Sequence, residues 1–134
     1  MQFLVNIDID DLEKAKNFYT SAFGLKVGRR FGSAGVELLG GPAPVYLLAK
    51  AAGTSPAPGA AQTRSYERHW TPVHLDFVVP DIEAAVQAAA KAGARIEQPV
   101  SVHEWGKLAL LADPFGHGFC LIEFSGRGYD ELIE

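Results

Sequence analysis

Cysteine is almost absent from this chain: of 134 residues only Cys120 carries a thiol. No disulfide can close within it, so a fold of this size must be held together by its core. That usage fits a reducing compartment, and a cytoplasmic location is expected. No apolar run reaches the roughly 20 residues that a membrane-spanning helix needs, so no membrane partner is expected. The first residues, Met1 to Asp8, lack a basic segment ahead of a long apolar one and read as a strand, not as a signal peptide. A basic block is missing as well. Twelve Lys and Arg against 16 Asp and Glu leave a net charge of −4, with the signs interleaved, so nucleic acid is not an expected partner. Gly40-Gly41 is not followed by the Lys-Ser/Thr of a phosphate-binding loop, and no Ser or Cys stands beside an obvious base. No catalytic residue is therefore assigned. The composition that remains is that of an ordinary globular protein, 48% hydrophobic and 21% charged, with a length that suits one domain.

The strongest positive signal is an internal repeat. Leu4-Val5-Asn6-Ile7-Asp8-Ile9-Asp10-Asp11-Leu12-Glu13-Lys14-Ala15 matches His74-Leu75-Asp76-Phe77-Val78-Val79-Pro80-Asp81-Ile82-Glu83-Ala84-Ala85. Asp11 and Asp81 are natural helix N-caps, since their carboxylates can accept bonds from free N–H groups of the first turn. Behind Asp11, Leu12, Ala15, Phe18, Tyr19, Ala22 and Phe23 share one helical face; behind Asp81, Ile82, Ala85, Val86 and Ala89 do the same. Gly24 and Gly93 fall where a helix would end in a left-handed turn, and Leu25 to Val27 and Ala94 to Ile96 follow as strands.

Further strands are expected at Val36 to Leu39 and Val45 to Ala49, across a Gly40-Gly41-Pro42 turn. In the second half they are expected at Lys107 to Ala112 and Gly118 to Phe124, across Asp113-Pro114-Phe115-Gly116. Each half is thus a β-α-β-β-β module, over about residues 1–50 and 72–126. Residues 51–71 link them, with the Ala-, Gly- and Pro-rich stretch 51–62 expected to be mobile, and residues 127–134 form a loop-like tail. The fold class is α+β, two βαβββ modules whose curved mixed sheets enclose a concave cleft. Strand alternation puts Phe3, Val5, Ile7 and Ile9 under the first helix and Gln2, Leu4, Asn6 and Asp8 on the bare face. In the second copy Leu75, Phe77 and Val79 lie under the helix, and His74, Asp76 and Val78 face away.

The paired modules, the Asp-Leu/Ile-Glu helix starts, Phe18-Tyr19 with Phe23-Gly24-Leu25, and Asp113-Pro114-Phe115-Gly116-His117 before the last strand resemble the vicinal oxygen chelate superfamily. That superfamily holds glyoxalase I, the bleomycin-resistance proteins and extradiol dioxygenases. The resemblance implies metal ligands at the start of each first strand and in the middle of each last strand, here Leu4, His74, Leu47 and Cys120. Two leucines cannot ligate, which leaves His74 and Cys120 as residual metal candidates. The pattern is closest to the metal-free, bleomycin-resistance-like branch, with no cofactor expected and no reaction required.

The expected function is therefore the binding of a small aromatic molecule, with antibiotic sequestration as one use. The alternative is a metal-dependent lyase, isomerase or dioxygenase; an interaction subunit without a ligand is a third reading. Asn6, Phe31, Tyr66, Trp70, His74, Asp76, His103, Trp105 and Phe124 are the expected ligand-binding residues, with Phe115 and Arg30 as further candidates. Several admit a plainer role: Trp105 as packing on its hairpin, His74 as a histidine satisfied by Asp76 or a backbone carbonyl, and Cys120 as a small buried apolar residue. The resemblance also implies a homodimer with two equivalent pockets.

Overall fold

In both halves a chain that has just left its first strand meets an aspartate in extended conformation, and a helix starts there. Asp11 accepts a bond from Lys14 N at 3.0 Å and Asp81 one from Ala84 N at 3.0 Å. The helices they cap, α1 (Leu12–Phe23) and α2 (Ile82–Ala92), end at Gly24 and Gly93, both at positive φ. The computed structural model describes residues 1–134 and divides them into two compact units, Met1–Glu67 and Arg68–Glu134.

In the first unit β1 (Val5–Ile9), β2 (Lys26–Arg30), β3 (Gly35–Leu39) and β4 (Val45–Ala49) form a sheet of order β1-β4-β3-β2. The second unit repeats it with β5 (Leu75–Val78), β6 (Arg95–His103), β7 (Gly106–Ala112) and β8 (Gly118–Phe124) in the order β5-β8-β7-β6. In each sheet the first and last strands run parallel and the remaining pairs antiparallel. Both sheets are mixed, and the fold is two βαβββ modules as the repeat requires.

One face of each sheet packs on its helix. Ile9, Val36, Leu38 and Leu47 meet Ala15, Phe18 and Tyr19 in the first core, and Ala109, Leu111, Phe119 and Leu121 meet Ile82, Val86 and Ala89 in the second. Glu123 lies on this helix side too, where its carboxylate accepts the Ile82 N–H at 2.8 Å. Asp113 is buried in the β7–β8 turn and accepts from Phe115 N and His117 N at 2.8 and 2.9 Å.

Four expectations need correcting. Met1–Leu4 precede β1, and Phe3 is exposed instead of lying under the helix. Strand β6 extends to His103, well beyond Ile96, because register shifts on either side of Gln98 carry it past Pro99. The tail forms a 3-10 helix at Gly128–Leu132. Leu47, aligned above with Cys120, belongs to the opposite face. Pairing of β1 with β4 sets Leu47 against Ile7 on the helix side, whereas Asp76 pairs with Cys120 on the bare side. Asn6 and Asp76 both stand five residues before their caps, so the true counterpart of Cys120 is the partner of Asn6, which is Tyr46. A slip of one residue exchanges the faces.

Candidate functional site

On the bare face of the first sheet, Asn6 and Tyr46 are register partners, and Tyr46 in turn pairs with Glu37. Glu37 is only 4% exposed. A carboxylate so placed must be fully hydrogen-bonded. It accepts from Arg29 N at 3.2 Å, from Arg29 Nε at 3.1 Å and Nη2 at 2.5 Å, and from the Tyr46 hydroxyl at 2.6 Å. The Arg29 guanidinium, and after it the Tyr46 hydroxyl, hold the Glu37 carboxyl down at about 2; the same contacts raise both partners. Gly28 makes room for this carboxylate, since a Cβ there would lie 2.6 Å from Glu37 Oε1. Phe31, 45% exposed, sits with its ring 6.1 Å from that of Tyr46. An open depression of about 790 Å³ lies beside Tyr46, walled by Met1, Gln2, Phe3, Leu4, Pro42 and Pro44.

Asp8, on the same face, is held by Arg64 Nε at 2.7 Å. Arg64 also donates to Ser55 O at 2.7 Å, and its backbone bonds Gly53 and Thr54, so the exposed stretch 51–62 is anchored at both ends. Tyr66 donates its hydroxyl to Lys50 O at 2.5 Å, and burial pushes its phenol upward. That bond spends the polar group of Tyr66 on the backbone.

The bare face of the second sheet carries two clusters. At one end His74 Nε2 lies 3.2 Å from the Asp76 carboxylate, and Cys120 stands across from Asp76 in β8. Ligand atoms of these three residues all lie within 4.8 Å of one another. Burial, and secondarily Asp76, pushes the Cys120 thiol up to about 11, so it is no nucleophile at neutral pH. Trp70 meets His74 edge to face at 5.5 Å and lies over Gly118, where a Cβ would come within 2.8 Å of the indole. The Arg68 guanidinium sits 4.3 Å above the Trp70 ring and is itself held by Glu97 at 2.5 and 2.6 Å. Trp70 nevertheless stays 46% exposed.

At the other end His103 stacks on Trp105, with centroids 5.0 Å apart and planes 3° from parallel. Phe124 approaches Trp105 at 6.2 Å, and Tyr129 of the 3-10 helix contacts both rings at 5.2 and 4.8 Å. His103 Nε2 is 2.9 Å from the Ser101 hydroxyl.

The expected residues therefore fall into three groups: Asn6 and Phe31 on the first sheet, Trp70, His74 and Asp76 at one end of the second, and His103, Trp105 and Phe124 at the other. Tyr66 joins none of them. Phe115 is a core residue, and Arg30 points to Glu13 of α1 at 3.5 Å. Sequence reasoning missed Arg29, Glu37, Tyr46, Arg68 and Tyr129. A glutamate inside the apolar run Val36 to Leu39 was the available signal for the first three.

A family profile described as a glyoxalase-like domain matches residues 4–122. The anthracycline biosynthesis protein DnrV of Streptomyces peucetius is 29% identical over 128 residues, 93% of this chain. The chain spans only 42% of the length of that relative. Among solved structures, TioX from Micromonospora sp. ML1 superposes with a TM-score of 0.71 at 18% identity, covering 93% of this chain and 99% of the other. The fosfomycin resistance protein FosX from Listeria monocytogenes gives 0.69 at 15% identity, with 93% of each chain covered. At these identities the structural matches establish the fold.

Proposed function

Given that this chain belongs to the glyoxalase-like domain family, we propose that it binds a small aromatic molecule, with Trp70 as the stacking surface and His74 and Asp76 as orienting groups. The observation that carries this reading is the state of Trp70. Its indole is held by Arg68, by the bare backbone of Gly118 and by an edge-to-face contact with His74, yet nearly half of it remains open. A ring already ordered loses little entropy on stacking, and covering roughly 100 Å² of it is worth about 2–3 kcal/mol. The names of DnrV and FosX, tied to anthracycline biosynthesis and to fosfomycin resistance, support sequestration of an antibiotic as the use. Homodimer formation belongs to the same reading. It is supported by Val73, just before edge strand β5, and Val78, its last residue, both exposed, and is tested by light scattering at micromolar concentration. The buried lone thiol suits a cytoplasmic setting, and no helix is long and apolar enough to cross a membrane.

A panel containing an anthracycline, fosfomycin, flavins and simple aromatic metabolites tests the proposal by thermal stabilisation. A ligand at a hundred times its dissociation constant adds about 2.7 kcal/mol, and Trp70→Ala should abolish most of that gain. No stabilisation by any compound, or full stabilisation in the variant, would sink the reading.

The convergence of His74, Asp76 and Cys120 favours a second reading, a metal-dependent lyase, isomerase or dioxygenase. Three protein ligands with one open position is the pattern of catalytic zinc, and imidazole, carboxylate and thiolate all suit that ion. A bound zinc would supply Lewis-acid polarisation of a substrate oxygen. The residues would have to surrender the Cys120 proton first, at a thiol raised to about 11. Stoichiometric zinc, nickel, iron or manganese in the isolated protein, lost in His74→Ala, would replace the binding-only reading with this one.

A further inference from the structure

We propose that the first unit carries a ligand site of its own: Arg29, fixed by Glu37 and Tyr46, is an oxyanion seat beside the apolar depression, and it takes a small apolar acid. The site is built from the bottom of the sheet upward. Glu37 cannot face solvent, being 4% exposed, so its two oxygens draw in every donor within reach. Arginine has five N–H donors in a fixed fork. The Nε–H is directed at Glu37, and Nη2 bonds both Glu37 and the Tyr46 hydroxyl, the latter at 2.9 Å. Both hydrogens of Nη1 remain without a protein partner, on a side chain that is 69% exposed.

Three consequences follow. The guanidinium is already ordered, so an incoming anion need not freeze a mobile side chain. The ion pair is also polarised, with its negative end buried and its positive end toward solvent. Its charges cancel at a distance, but an anion at Nη1 meets the guanidinium first. Finally, with Nε and Nη2 spent on Glu37 and Tyr46, Nη1 is left as a charged donor whose two hydrogens face an incoming oxyanion.

Tyr46 links this seat to the apolar part of the site. Its hydroxyl belongs to the network and the residue also lines the depression, whose other walls include Leu4, Pro42 and Pro44. At about 790 Å³ the depression falls within the range of small-molecule sites. Phe31 tilts toward the same tyrosine, and Asn6 stands next to it in register. The ligand that fits both parts has a compact apolar body and one oxyanion. Gly28 is required for the arrangement, because any side chain there would strike Glu37.

This inference does not depend on the Trp70 reading, since all of its residues lie between Met1 and Tyr46. Its test is calorimetric titration of the full chain with 2-naphthoate, 2-naphthyl phosphate and the neutral 2-naphthamide. At least one anion should bind tenfold or more tighter than the amide, and the better of the two identifies the oxyanion. Arg29→Lys keeps a cation opposite Glu37 but removes the outward Nη1 donor. It should bring the preferred anion to within about threefold of the amide while leaving the amide unchanged and the circular dichroism spectrum native. Tyr46→Phe should cause a smaller loss in the same direction. Trp70→Ala, in the other unit, should leave the anion preference intact. Equal binding of anions and amide, or an anion preference that survives Arg29→Lys, overturns the proposal. So does a preference that disappears in Trp70→Ala alone, which would place the anion in the second unit.

Discussion

The two units share one backbone plan and differ on the face that plan leaves bare. Where the first sheet sets Asn6, Tyr46 and Glu37 side by side, the second sets Asp76, Cys120 and Leu110. The first bare face is dominated by an ion pair reaching down to a buried carboxylate. The second is apolar along its centre and aromatic at both ends. Caps, helix faces and strand order agree because burial and unpaired backbone groups dictate them in the same way in both copies. The bare face answers to no helix, so its residue types can follow function. Each copy nonetheless uses the same device there: a glycine, Gly28 or Gly118, whose missing side chain admits the group that matters.

The largest effect expected from testing this comparison concerns Leu47 and Leu4. Leu47→Ala removes a fully buried side chain and should cost about 2–5 kcal/mol in urea denaturation, while Leu4→Ala, 51% exposed, should stay within about 0.5 kcal/mol. Equal costs would undo the assignment of faces. Next come the glycines. Gly28→Ala and Gly118→Ala should each cost about 1–3 kcal/mol by overpacking. Only Gly118→Ala should shift the tryptophan emission, because both tryptophans belong to the second unit. The caps are smaller: Asp11→Ala and Asp81→Ala should cost about 1 kcal/mol each and add when combined, as equivalent and separate sites do.

The last effect to resolve is the opposite pH response of the two faces. Glu37 is held near 2 in the folded chain against 4.5 for a free carboxyl, so its contribution is complete above 4.5 and is lost as the pH falls toward 2. Arg29→Lys should blunt that acid loss. Cys120 titrates near 11 folded against 9 free, so the unfolded chain releases this proton first and stability declines as the pH rises from 9 to 11. Cys120→Ser should remove that decline. A wild-type protein with a flat response at either end would contradict the corresponding face.

How much of this was legible in the sequence varies from residue to residue. Asp11, Asp81, Gly24 and Gly93 declared the helix ends because their roles are local, settled by backbone groups within four residues. Ala15, Phe18 and Val86 declared the cores through helical spacing. The long β6 was hidden because Pro99 and the register shifts break the alternation that marks a strand. Of the expected ligand-binding residues, Trp70, His74 and Asp76 lie together, while Asn6 was named without its register partner Tyr46. Arg29 and Glu37 stand eight residues apart across a bulged hairpin, and no spacing rule joins them.

The sequence by itself determined the duplication, the helix boundaries and which side of each helix is buried, since these follow from caps and periodicity along a continuous stretch of chain. Only the tertiary structure decided which strand residues oppose one another. That register exchanged Leu47 for Tyr46 on the bare face, and it paired a buried Glu37 with Arg29. Strand pairing is fixed by hydrogen bonds between segments distant in the chain, and one residue of slip, invisible in composition and spacing, turns a core position into a site.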